Sequence, residues 1–216
     1  LVWHAAHAGG NNSPWAGRLW SSTGTDTDSA GAAASGSRKG PRHGGANHKV
    51  MQQLDVLKAM VADVHDDDAV LAALEKVLNR QAGDGTGLIY GLGHAVYTKS
   101  DPRAVILRKR AKHLAMEKGL QQEYDLLCAV ERLGPVAMAR VKKAKGVCAN
   151  VDLYSGFIYR MLGISEDLFT PLFAISRVPG WCAHRVEEVM FANRLMRPAY
   201  KYLGHGQEYL PPEQRA

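Results

Sequence analysis

Apolar residues in this chain recur at helical spacing, and no stretch alternates as a half-buried strand would. Val50, Leu54, Leu57 and Val61 fall at steps of three and four, the repeat of one helix face. Asp66, Asp67 and Asp68 offer a cap and first-turn acids to a following helix with Leu71, Leu74 and Leu78 on its face. Gly83-Asp-Gly-Thr-Gly87 breaks that pattern. Asp101-Pro102 opens a helix that closes at Lys118-Gly119, with Pro near the start and Gly just past the end. Gln121 to Leu133 is expected as a further helix, stopped by Gly134-Pro135. Tyr154 to Leu162 and Cys182 to Met196 are expected as the last two, with Pro198 ending the second. Residues 1–47, rich in Gly, Ser, Thr and His, read as loop with one irregular helix from about Asp26 to Ser35. The fold class that follows is all-α.

Hydrophobic residues make up 46% of the 216, enough to bury a core in one or two domains. No apolar run reaches the roughly 18 residues a membrane span needs. No signal-peptide pattern opens the chain, and Leu1 in place of Met marks a fragment or a processed chain. Three cysteines with no CxxC pair argue against a disulfide framework and against a metal site, which fits a cytoplasmic protein. The formal charge of +6 suits polyanions. It is concentrated in Arg103, Arg108, Lys109, Arg110 and Lys112, and again in Arg140, Lys142, Lys143 and Lys145. Both stretches read equally as solvated helix faces. Nucleic acid is not expected as a partner, because charge is the only argument for it and no binding motif accompanies it.

The chemistry-bearing residues sit at helix breaks beside glycine: His7-Ala-Gly-Gly-Asn11, Gly40-Pro-Arg-His43-Gly-Gly-Ala-Asn47, Gly91-Leu-Gly93-His94 and Cys148-Ala-Asn-Val-Asp152. Glycine lets backbone and ligand come close. Histidine exchanges protons near neutral pH, and a carboxylate in a closed site serves as a base. Each piece alone has an ordinary reading: a loop histidine as a hydrogen-bonder, Asp152 as the cap of the helix near Tyr154, Arg103 and Arg177 as surface ion-pair formers. Together they point to an anion held by guanidinium forks and to proton transfer at a carbon or carbonyl.

These motifs resemble the citrate synthase family. The resemblance rests on Gly40-Pro-Arg-His43-Gly-Gly-Ala-Asn47, Gly93-His94-Ala-Val-Tyr-Thr-Lys-Ser-Asp101-Pro-Arg103 and Asn150-Val-Asp152-Leu-Tyr-Ser-Gly156. It extends through Phe169-Thr-Pro-Leu-Phe-Ala-Ile-Ser-Arg177, Gly180-Trp-Cys-Ala-His-Arg-Val-Glu-Glu188 and Arg197-Pro-Ala-Tyr200. It implies an all-helical acyltransferase that condenses acetyl-CoA with oxaloacetate and water to give citrate and CoA, the entry step of the tricarboxylic acid cycle. The nearest alternative is a 2-methylcitrate synthase, which uses propionyl-CoA with the same groups; another is an inactive truncated remnant. No cofactor is implied, acetyl-CoA being a co-substrate.

By position, the resemblance makes Asp152 the base that takes a methyl proton and His43 the donor to the enol oxygen. It makes His94 the group that polarises and protonates the oxaloacetate carbonyl. His7, Arg103 and Arg177 become oxaloacetate ligands, and Arg197 an arginine serving the neighbouring site of a homodimer. Leu92, Gly93 and Ala95 fall at a CoA-binding loop, and Lys142 and Lys143 are expected near CoA phosphates. The implied domains are a small one over residues 45–163 and a large one made of residues 1–44 and 164–216. The family's N-terminal helices have no counterpart in these residues, so large-domain helices are expected to expose apolar faces. Gly17, Gly31 and Gly36 fall where the family is helical, and each weakens a helix by about 1 kcal/mol relative to Ala. Asp28 and Arg38 put charge where the resemblance leads one to expect apolar or aromatic residues, so their burial would be costly.

Overall fold

The computed structural model describes residues 9–40, 43–192, 194–206 and 208–215. The described residues form eight α-helices and no strand: α1 Asn12–Ser21, α2 Thr27–Lys39, α3 Ala46–Met60, α4 Asp67–Leu78, α5 Pro102–Lys118, α6 Gln121–Lys142, α7 Asp152–Met161 and α8 Phe169–Phe191. Two short 3₁₀ turns, Glu166–Leu168 and Pro212–Gln214, complete the list. None of the described helices is long and apolar enough to cross a membrane.

Helices α3 to α7 share one core. Val50, Met51, Leu54 and Leu57 of α3 are at most 1% exposed, each burial contributing about 1.5–3 kcal/mol. They meet Leu74 of α4, Leu126 and Leu127 of α6, and Leu153 and Phe157 of α7. The helix ends follow the sequence signals. The Asp66 carboxylate accepts from the backbone N–H groups of Asp68 and Ala69. Gly119 closes α5 at φ 70°, a left-handed conformation that glycine adopts without penalty.

Helices α1, α2 and α8 pack on one another. The expectation of loop over most of residues 1–47 is corrected here: α1 is a full helix and α2 runs to Lys39. The buried face of α1 is Ser13, Pro14, Gly17 and Ser21, and that of α2 is Ala30, Ala34 and Arg38. These stripes have helical spacing but are small rather than greasy, so hydropathy does not reveal them. Small residues let the helices approach closely: a Cβ at Gly17 would lie 3.6 Å from the Ala34 Cβ. Asp28 is exposed, so its charge carries no burial cost, whereas Arg38 is 5% exposed.

Two further boundaries differ from expectation. Helix α6 continues through Gly134-Pro135 to Lys142, and α8 begins at Phe169 and passes through Pro179 before ending at Phe191. Proline removes one hydrogen bond and strains a helix by about 3 kcal/mol, but long flanking turns packed on neighbours offset this. Gly134 has a positional role, because a Cβ there would collide with the Leu92 Cδ1 atom. Leu92 thereby nests against α6. As expected, large apolar side chains lie open on α8: Ile175, Val178, Val186, Val189, Met190 and Phe191. The basic stretches are partly neutralised within the chain, by Arg108 with Glu131 and Arg140 with Glu75.

Gly36 lies within the C-terminal part of α2, is exposed, and has open space where a Cβ would point. Gly36→Ala should therefore stabilise the chain by about 0.5–1 kcal/mol, seen as a higher urea midpoint with an unchanged slope. A lower midpoint would show that α2 is not helical there.

Candidate active site

Three chain breaks converge where the two helical groups meet. The first is the turn between α2 and α3. The His43 N–H donates to the Gly40 carbonyl (2.9 Å) and Thr170 Oγ1 to the Gly44 carbonyl (2.9 Å), so α8 holds the turn in place. Ser13, fully buried on α1, donates its backbone N–H to His43 Nε2 at 3.3 Å. Its hydroxyl lies 3.1 Å from the same nitrogen and accepts from Trp181 Nε1 at 3.3 Å. With Nε2 accepting from a backbone amide, the proton of a neutral His43 resides on Nδ1, which is left as a donor.

The second break is the loop before α5. His94 Nδ1 accepts from the backbone N–H groups of Val96 (3.0 Å) and Tyr97 (3.2 Å), which places its proton on Nε2. Arg103 Nη2 stands 3.4 Å from Nε2. Two donors thus face the same space, an arrangement that suits an incoming oxygen acceptor. Asp101 orients Arg103: it is 1% exposed and accepts from Nε at 3.0 Å and Nη2 at 2.8 Å. It also caps α5 by accepting from the Arg103 backbone N–H.

The third break leads into α7. Asn150 Nδ2 donates to the Gly93 carbonyl (2.9 Å), and Asn150 Oδ1 accepts from the Asp152 backbone N–H (3.0 Å). One side chain therefore ties the His94 loop to the start of α7. Backbone bonds from Gly93 N–H to the Cys148 carbonyl and from Asn150 N–H to the Gly91 carbonyl complete the tie. Asp101 and Asn150 were not singled out as site residues in the sequence, where Asp101 reads as a helix-start signal and Asn150 only as part of the motif around Asp152. Their second function becomes visible only through their partners.

The electrostatics join the three breaks. Burial lowers the pKa of His43 to about 4, with Arg38 and Arg177 acting in the same direction. Burial and then Arg103 lower His94, so both imidazoles are neutral at pH 7. Burial raises Asp152, outweighing the opposite pull of Arg38, Arg103 and Arg177. Asp101 moves the other way, because its bonds to Arg103 overcome desolvation. Arg177 is 4% exposed, and its Nε and Nη1 have no hydrogen-bond partner among the described residues. Its charge acts on His43, His94 and Asp152 alike. A buried guanidinium with two unpaired N–H groups is a strong demand for an oxyanion.

Of the other sequence-derived candidates, those among the described residues lie at the border of this cluster or outside it. His7 lies outside the described residues. Arg197 is exposed in the tail beyond α8. Lys142 donates to the Gly87 carbonyl, and Lys143 ends α6 in a left-handed conformation with its side chain exposed. Leu92 pairs with Ala149 in an isolated antiparallel bridge, so Leu92, Gly93 and Ala95 border the site. Among the described residues no group of three or more His, Cys, Asp or Glu is placed to hold a metal ion.

The lowered His43 pKa predicts a pH dependence. The unfolded chain protonates this group at about 6.5, the folded chain at about 4. Between those values the unfolded state binds a proton that the folded state refuses, so stability falls as pH drops through that window and levels off below it. Asp152 acts with the opposite sign, since its raised pKa favours the folded state at low pH. Urea midpoints from pH 7 to 4 should therefore fall less steeply for His43→Gln than for the parent chain; identical slopes would contradict the assignment.

The family model for the citrate synthase C-terminal domain matches residues 1–199. A citrate synthase from Deinococcus radiodurans is 40% identical over 204 residues, covering 94% of this chain and 49% of that protein. One from Synechocystis is 38% identical over 217 residues, covering 100% and 50%. A 2-methylcitrate synthase from Shewanella oneidensis is 34% identical over 204 residues, covering 94% and 49%. The solved citrate synthase of Thermoplasma acidophilum, in ternary complex with carboxymethyl coenzyme A and oxaloacetate, superposes with a TM-score of 0.78 at 30% identity. That match covers 99% of this chain and 53% of the other. The chain spans about half the length of these relatives. By family match, sequence identity and fold, this chain belongs to the citrate synthase family.

Proposed function

We propose that the chain carries the catalytic half of a citrate synthase, converting acetyl-CoA, oxaloacetate and water to citrate and CoA. The observation that carries this reading is Arg177, buried, short of partners, and acting on His43, His94 and Asp152 together. Arg177 and Arg103 hold the oxaloacetate carboxylates, since a guanidinium fork matches two carboxylate oxygens. The neutral His94 donates its Nε2 proton toward the keto oxygen. Asp152 removes a proton from the thioester methyl, and His43 donates from Nδ1 to the thioester oxygen as charge develops there. A carboxylate with a raised pKa is the stronger base for this weak carbon acid. The enol adds to the keto carbon, and water then cleaves the citryl thioester. No cofactor takes part.

In this reading residues 45–163 form the small domain, and residues 1–44 with 164–216 belong to the large one, whose movement closes the site. The open apolar face of α8 is covered in a cytoplasmic homodimer, where Arg197 and His7 join the oxaloacetate ligands. Leu92, Gly93 and Ala95 border the CoA thioester, while Lys142 and Lys143 approach its phosphates. Reversing both lysine charges should raise the Michaelis constant for acetyl-CoA several-fold with oxaloacetate unaffected; an unchanged constant removes them from the site.

A 2-methylcitrate synthase is the second reading, supported by the Shewanella relative. Thiol release with saturating oxaloacetate and either acyl-CoA separates the two. Faster turnover of acetyl-CoA is expected, and faster turnover of propionyl-CoA reassigns the acyl substrate. No release from a folded sample would refute the enzyme reading.

A further inference from the structure

Arg38 is the buried cation that this mechanism does not use. It lies in the last turn of α2, where an arginine ordinarily reaches solvent and complements the helix dipole. Here it is 5% exposed, and its Nε has no hydrogen-bond partner among the described residues. Its Cζ sits 3.7 Å from the centroid of the Phe173 ring, and the Cζ of Arg177 lies 4.8 Å from the same centroid. Two buried guanidinium groups thus share one phenyl ring, each with an N–H left unpaired. Asp152 is the carboxylate whose charge acts on both, and no salt bridge joins it to either among the described residues.

The backbone under Arg38 is also fixed. Gly44 approaches the Arg38 carbonyl so closely that no Cβ would fit, and Thr170 holds Gly44 from α8. The charge of Arg38 acts on Arg177, and two buried like charges within reach of one another call for an anion. We propose that Arg38 and Arg177 form a two-guanidinium cradle for one carboxylate of the substrate, making Arg38 a further substrate-binding residue. This rests on the dicarboxylate reading given above.

The test is calorimetric titration of the 216-residue chain with oxaloacetate and with malonate, comparing the parent with Arg38→Leu, Arg38→Lys and Arg177→Leu. The cradle predicts that Arg38→Leu weakens both ligands at least tenfold and that Arg38→Lys, which keeps charge but lacks the fork, falls between. Parent-like affinity in Arg38→Leu beside a loss in Arg177→Leu would overturn the cradle and leave the dicarboxylate reading intact. Malonate binding that needs Arg38, with no preference for oxaloacetate and no CoA release, keeps the cradle and overturns the citrate synthase reading. If the parent binds neither ligand, both fall. Should Arg38→Leu not fold, Arg38→Lys decides, since parent-like affinity there means that the fork is unused.

Discussion

Asp152→Asn should lower CoA release from acetyl-CoA and oxaloacetate by about 10²–10⁴-fold, the usual worth of a positioned general base. The amide keeps the size and the hydrogen-bonding edge of the carboxylate but takes no proton. Oxaloacetate binding should survive, and this separates a base from a structural cap. Asp152 shares its surroundings with Arg38, Arg103 and Arg177, so removing its negative charge leaves the cations freer to hold an anion. The backbone N–H of residue 152 still donates to Asn150 Oδ1 in the variant, so the start of α7 stays in register. A steady-state comparison showing a much lower kcat with a near-parental oxaloacetate KM is the expected pattern. A near-parental kcat would mean that the base is elsewhere.

Gly91→Ala should be a strongly damaging single methyl in the site's scaffold. Gly91 has φ 84°, where an alanine costs about 1–2 kcal/mol. Its Cβ would also land 2.9 Å from the Leu153 Cα and 2.7 Å from the Leu153 Cδ1. Leu153 is fully buried at the start of α7 and does not give way, so overpacking adds about 1–3 kcal/mol. The expected loss is roughly 2–5 kcal/mol, or at least ~4 °C in Tm for a chain of this size. Because Gly91 accepts from Asn150 N–H, the same methyl pushes the His94 loop away from Asp152. Activity should fall even in samples that remain folded. An unchanged melting temperature would show that the loop and α7 are not in contact.

The capped helices were legible in the sequence because their signals are local. Asp66 and Asp101 cap, Gly119 closes, and Val50 through Leu57 mark one greasy face. Helices α1 and α2 were not legible, because Ser13, Gly17, Ala30 and Ala34 bury a small-residue seam that resembles linker composition. Gly134-Pro135 misled for a related reason: a breaker is a local signal, while the packing that overrides it is not. The histidines and the aspartate that converge at the site, His43, His94 and Asp152, were legible as glycine-flanked motifs. The residues that set their chemical state were not. Ser13 fixes the tautomer of His43 and Asn150 ties the His94 loop to Asp152, both between segments far apart in sequence, while Asp101 aims Arg103 from two residues away through a bond that its capping role conceals. Arg38 could be read in sequence only as a charge in an unexpected place. Its role depends on Phe173 and Arg177, which lie far along the chain on α8.

The central claim is that Asp152 and a neutral His43 together enolise an acyl thioester beside a bound dicarboxylate. Hydrogen exchange at the acetyl-CoA methyl group isolates that step from condensation. The chain is incubated in heavy water with acetyl-CoA and malate, a dicarboxylate that has no keto carbon to accept the enol, and deuterium in the methyl group is followed by mass spectrometry. Malate-dependent incorporation is expected from the parent chain and essentially none from Asp152→Asn. Incorporation at an equal rate in that variant, or its absence from a folded parent chain that binds malate, would contradict it.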